Sequence, residues 1–182
     1  MQRIKMTAKD LLKRYTKGER NFNEIDLSNE NLEGAKLDGI KLNFANLTSV
    51  NFAGAYLKNA DLGFAILDRA DLENTDLSYT NLNGASFIRA NLNNANLSNS
   101  KIAMANFKNA SMIGANLSRS SISFTHFNNA DLMNADIRNA DLFTTRFNSA
   151  DLTNADFRGT IPEYKKFEGE EFEDAKLDGI KI

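Results

Sequence analysis

Residues 130–142 read Ala130-Asp131-Leu132-Met133-Asn134-Ala135-Asp136-Ile137-Arg138-Asn139-Ala140-Asp141-Leu142, a five-residue unit, Ala-Asp/Asn-Leu-x-x, written in succession. The chain on both sides copies it. With the Leu position taken as i, steps of five from residue 22 to residue 157 give 28 positions, of which 17 are Leu, seven Phe, three Ile and one Met. No polar residue interrupts this column. Position i−2, from 35 to 155, is Ala in 17 of 25 cases and otherwise Thr, Ser, Val or Ile. Between them stands mostly Asp or Asn, as at Asp61, Asp71, Asn91, Asn116 and Asp151. Repetition of this kind is read before local secondary structure, because it determines the architecture.

The period excludes the two ordinary elements. On an α-helix, at about 100° per residue, five residues turn a side chain through roughly 140°, and the apolar column would smear around every face. In one continuous strand an odd spacing sends successive Leu residues to opposite faces. A chain that makes a short extended side and then bends, once per pentapeptide, keeps i and i−2 inward throughout, which is a solenoid.

The tandem Ala-Asp/Asn-Leu-x-x units resemble the pentapeptide-repeat protein family over about residues 20 to 160. The resemblance implies an all-β solenoid, a right-handed quadrilateral β-helix with four pentapeptides per coil. Residues 20 apart then stack, and Phe87, Phe107, Phe127 and Phe147 form an internal aromatic ladder suited to offset stacking. Seven coils spaced about 4.8 Å apart make a rod on the order of 34 Å long. Asp or Asn at i−1 is suited to hydrogen-bonding nearby backbone at each bend. Thr125 and Thr145, standing where Ala is usual, are read as buried hydroxyls bonded to backbone.

Three segments follow: residues 1–21 with a capping helix, 22–160 as the β-helix, and 161–182 as degenerate repeats or a C-terminal cap. Residues 7–17 read as a short helix with Thr7 as N-cap, Asp10 at N3 and Gly18 just beyond the end. Leu11, Leu12 and Tyr15 share one side, which suits a cap over the first coil better than an amphipathic membrane anchor. Near residue 160 the pattern weakens, and Pro162 takes an i position. Phe167, Phe172, Leu177 and Ile182 nonetheless stay in phase, and residues 175–181 repeat 35–41 letter for letter. The tail is a further coil, a cap or, by the family resemblance, a dimerisation segment.

The search for chemistry is largely negative. There is no Cys, one histidine (His126, at an i−1 position) and no phosphate-binding Gly-rich loop. The sequence indicates no catalytic, metal or cofactor-binding residue and no enzyme activity. Regularly placed Asp residues offer no carboxylate in a distinct environment. The glycosylation-type triplets at Asn46, Asn96 and Asn116 are by-products of the repeat. Arg89, Arg119, Arg138 and Arg158 are interleaved with acids and read as a mixed solvated surface. A net charge of −2 argues against bulk attraction to nucleic acid or anionic membrane. With no apolar run long enough to span a bilayer and no signal-like apolar core in residues 1–21, a cytoplasmic location is expected.

Two functions follow. One is a non-catalytic rigid scaffold that binds another protein, as a monomer or weak homodimer. The other, implied by family members that confer quinolone resistance, is a dimeric DNA mimic that binds DNA gyrase. On the outside, position i+2 is chiefly Asn, Gly, Ser and Arg, yet one edge carries Phe44, Phe64, Gly84, Met104, Phe124 and Thr144, widened by Ile66 and Phe143. Phe44, Phe64, Met104 and Phe124 are the candidate protein-binding residues. The competing reading is that these side chains merely cover the bend.

Overall fold

The computed structural model describes residues 3–161 and 172–182. From Asn21 onward, the i−1 residue of each pentapeptide pairs in parallel with the residue 20 positions later, from Asn21 with Lys41 through to Asp141 with Ile161. This register is the right-handed quadrilateral β-helix. Its first side carries the i residues 22 to 142 in steps of 20. The second starts at 27, the third at 32 and the fourth at 37. Two amides per repeat donate to the next coil, as in Leu92 N to Ser111 O at 2.7 Å and Asn94 N to Ile113 O at 2.9 Å.

All 28 i residues are buried, and so is every i−2 residue from 40 to 155. Small Ala at i−2 lets opposite walls approach while Leu and Phe fill the remaining volume, which gives one continuous core along the rod. Phe87, Phe107, Phe127 and Phe147 stack with centroid separations of 4.6, 5.0 and 5.2 Å and interplanar angles of 3°, 10° and 5°. The hydroxyls of Thr125 and Thr145 donate to the carbonyls of Ile102 and Ile122, at 2.7 and 2.8 Å, so their burial leaves no orphaned polar group.

The bend has a fixed chemistry. Nearly every i carbonyl accepts from the amide three residues on, as in Ala35 N to Leu32 O at 3.0 Å; at Leu77 the hydroxyls of Thr80 and Ser100 donate instead, at 2.6 and 2.8 Å. All 28 i+2 residues from 24 to 159 have positive φ, the signature of a type II turn, and 16 of them are Asn or Gly. In most repeats the i+1 amide is satisfied in one of two ways. Usually Asp or Asn at i−1 of the same repeat accepts it, as Asn91 does from Asn93 N at 3.1 Å. Where i−1 is Lys41, Tyr56, Ser86, Lys101 or Ser111, an Asp or Asn at i+1 of the preceding coil takes over. Asn23, Asp38, Asp68, Asn83 and Asn93 thus accept from the amides of Asn43, Lys58, Ile88, Ala103 and Ile113. Position i+1 is therefore not uniformly passive surface.

At the N-terminal end, β1 (Ile4–Lys5) pairs in parallel with β2 (Ile25–Asp26), an addition that the sequence pattern does not announce. Helix α1 (Ala8–Thr16) follows, with the Thr7 side chain accepting from Asp10 N at 3.1 Å and the Gly18 amide closing the end onto Tyr15 O at 2.9 Å. Leu11 is fully buried, Leu12 and Tyr15 pack against the core, and the Tyr15 hydroxyl donates to Asp38 O at 2.8 Å. The helix covers the open first coil.

At the other end the register changes to 25. Asp151 pairs with Lys176 and Asp156 with Lys181, while Phe172 stacks on Phe147 at 5.4 Å. Residues 172–182 therefore extend the coil, with five extra residues inserted before Phe172. Phe167 and Pro162 lie outside the described residues.

Candidate functional site

The left-handed backbone at i+2 sets a rule for the outside of the rod. Asn and Gly tolerate it, whereas other L-residues in that region cost about 1–2 kcal/mol. Phe44, Phe64, Met104 and Phe124 all break the rule, with φ of 59°, 56°, 61° and 59°, and β-branched Thr144 at 55° continues the same edge. The structure brings these residues onto one corner of the rod, along its first side. All four large ones are about half exposed, from 49% to 59%, so they gain little from the core.

Two clusters result. The Phe44 and Phe64 rings stack at 5.2 Å and 5°. Phe64 then lies over Gly84, where an added Cβ would come within 2.5 Å of the ring. Gly84 thus leaves room for the Phe64 ring rather than interrupting the edge. Further along, Phe124 meets Phe143 edge-on at 5.5 Å, with Phe143 57% exposed and Met104 on the coil before. Ile66, on the adjoining side, is partly buried and only borders the strip. The sequence reading identified the unusual residues but not their strained backbone. The enrichment of Asn and Gly in that column carries the signal.

The remaining charges are mixed on the fourth side, where Arg138 and Arg158 alternate with acids as the sequence pattern implies, and single-signed on the third. Glu33, Asp71, Glu73, Asp131 and Asp151 occupy the third side, and no cation lies on its outward positions from 31 to 154. On the fourth side Arg138 and Arg158 are each paired within their own repeat, through Nε and Nη2 to Asp136 at 2.8 and 2.7 Å and to Asp156 at 2.9 and 2.6 Å. The hydrogen bonds from Arg138 and Arg158 hold the carboxyls of Asp136 and Asp156 below the usual aspartate range, against the desolvation that pushes them up. His126 is exposed on the second side. Among the described residues no cluster of three or more His, Cys, Asp or Glu is arranged to hold a metal, and no helix is long and apolar enough to cross a membrane.

The family model for pentapeptide repeats matches in eight copies, over residues 21–63, 65–102, 90–122, 105–139 and 115–159. The chain is a pentapeptide-repeat protein. Among solved structures it is similar to HetL of Nostoc sp. strain PCC 7120, a pentapeptide-repeat protein involved in heterocyst differentiation regulation. That match has 25% identity over 97% of this chain and 95% of that one, with a TM-score of 0.35. A trypsin-treated variant of QnrB1, a plasmid-mediated fluoroquinolone resistance protein, matches at 18% identity over 87% and 85% of the two chains, with a TM-score of 0.47. The pentapeptide-repeat protein alr5209, also from Nostoc, matches at 30% identity over 64% and 84%, with a TM-score of 0.32. No curated protein matches the chain.

Proposed function

We propose that this pentapeptide-repeat protein is a non-catalytic rigid rod that binds another protein along the edge formed by Phe44, Phe64, Met104 and Phe124, with Phe143 alongside. The observation that carries the reading is the placement of large, half-exposed apolar side chains on left-handed backbone. The fold would favour Asn or Gly at those positions, and the side chains return little burial in exchange. Half-exposed rings of this size present on the order of 100 Å² each. Five such side chains reach the roughly 300–600 Å² typical of the largest, often functional, patch on a monomer. From Phe44 to Phe124 the strip runs four coils, about 19 Å, which matches roughly 13 residues of a helix laid along it.

Charge placement argues against duplex mimicry. The acidic third side carries five carboxylates over seven coils, about one per 7 Å, whereas duplex DNA carries one charge per about 1.7 Å. Lys176 further neutralises Asp151 at 2.9 Å. The test replaces Phe64 and Phe124 with Asn, which suits the backbone, and compares partner capture and sedimentation mass with wild type. Loss of capture or of self-association in a folded variant supports the edge; unchanged capture and mass refute it.

A further inference from the structure

A second surface stands on different residues and does not depend on the apolar edge. Thr48, Asp68, Arg69, Ile88, Arg89, Lys108 and Asn109 line a groove of about 480 Å³ that crosses four coils of the second side. Arg69 and Arg89 are i+2 residues with φ of 59° and 61°, in a column whose other members on this side are Asn29, Ser49, Asn109, Asn129 and Ser149. Lys108 is the i+1 residue of the next coil. Three cations are therefore stacked on successive coils, two of them on strained backbone.

The fold neutralises Arg138 and Arg158 and does not neutralise these three cations. Arg138 and Arg158 each have an Asp at i−1 of their own repeat. The i−1 residues of the repeats bearing Arg69, Arg89 and Lys108 are Ile66, Ser86 and Asn106. Among the described residues no carboxylate pairs with any of the three cations. The neighbouring acids point their bonds elsewhere: Asp68 Oδ1 accepts from the Ser86 hydroxyl and from Ile88 N, while Asp71 Oδ1 accepts from Glu73 N and Asn91 Nδ2.

We propose that this groove binds an extended acidic peptide segment whose carboxylates meet Arg69, Arg89 and Lys108. The volume lies within the roughly 300–1,000 Å³ usual for ligand sites. Its three inter-coil steps of about 4.8 Å span some 14 Å, the length of about four extended residues at about 3.3 Å each. Guanidinium groups bind carboxylates bidentately, and Ile88 gives the segment an apolar floor. No aromatic side chain lines the groove, so it lacks the stacking platform that single-stranded nucleic acid uses.

Isothermal titration of the full-length protein with hexaglutamate tests this, alongside the Arg69→Asn/Arg89→Asn double variant and Arg119→Asn. Arg119 is a matched control: an exposed i+2 arginine on the fourth side at φ 59°. Wild type should bind saturably, with affinity falling as salt rises. The double variant should lose at least tenfold with its melting temperature unchanged or raised, and Arg119→Asn should bind as wild type. Absence of binding at low salt, equal losses in the control, or an intact double-variant affinity would overturn the site. Tighter binding of inorganic tripolyphosphate or of oligothymidylate than of hexaglutamate would overturn its assignment to a peptide.

Discussion

Replacing Phe124 with Asn should leave the protein about as stable as wild type, although it deletes a large apolar side chain. Phe124 is 49% exposed, so the burial lost is about half of the 1.5–3 kcal/mol for a fully buried ring, or roughly 1 kcal/mol. The edge-on contact with Phe143 adds about 0.5–1.5 kcal/mol. Against this, Asn relieves most of the roughly 1–2 kcal/mol that a bulky residue costs at φ 59°. The net change falls between a gain of about 0.5 and a loss of about 1.5 kcal/mol. Phe107→Ala provides the contrast, since that ring is fully buried between Phe87 and Phe127 and its truncation should cost about 3–5 kcal/mol. Urea titrations of both variants, followed by circular dichroism, measure the difference. A loss of about 3 kcal/mol or more for Phe124→Asn, the size of a core truncation, would show that the ring seals the bend, and the functional argument from strained backbone would fail.

Leu92→Ala should cost about 2–5 kcal/mol in the same titrations, as a fully buried truncation. Asn93→Ala, next to it and facing outward, should still cost about 0.5–1.5 kcal/mol because Asn93 accepts from Ile113 N at 2.9 Å; Asn93→Asp should recover it, and a change near zero for both would remove the relay between coils. Asp136 and Asp156 have lowered folded-state pKa values, so their contribution is present above the ordinary aspartate value near 3.9 and is lost as pH falls below it. Melting temperature should therefore drop between about pH 4 and pH 2, and drop less in an Arg138→Ala/Arg158→Ala variant; parallel pH profiles would contradict the pairing. Micromolar protein should leave gyrase supercoiling unchanged, since the acidic side is too sparse to replace a duplex, and potent inhibition would reverse that conclusion.

The core was legible because a single apolar column at period five admits only a closed coil, and Thr7, Asp10 and Gly18 mark the ends of α1 by residue type alone. The ladder from Phe87 to Phe147 followed once residues 20 apart were stacked. β1 was not legible: Ile4 and Lys5 are two exposed residues with no periodicity, and only the nearness of Ile25 makes them a strand. Nor was the 25-residue step to Phe172, because an inserted pentapeptide preserves the phase that the eye follows. The exchange of amide acceptors was readable in principle, since Lys41, Tyr56, Ser86, Lys101 and Ser111 each have an Asp or Asn 18 residues earlier. At the candidate edge, the identities of Phe44, Phe64, Met104 and Phe124 stood out at once. Their meaning depended on the backbone, because a Phe at i+2 is known to be costly only once the turn is known to require positive φ. The groove at Arg69, Arg89 and Lys108 was hidden for a different reason: spacings of 20 and 19 bring the three together only across coils.

The most direct measurement is quantitative affinity capture from the native host with wild type, Phe64→Asn/Phe124→Asn and Arg119→Asn side by side, with sedimentation of each purified protein. If the apolar edge is the binding surface, a protein retained by wild type and Arg119→Asn, or a self-associated species formed by both, falls at least tenfold in the folded double variant. An identical set of captured proteins and an identical mass for all three would contradict it.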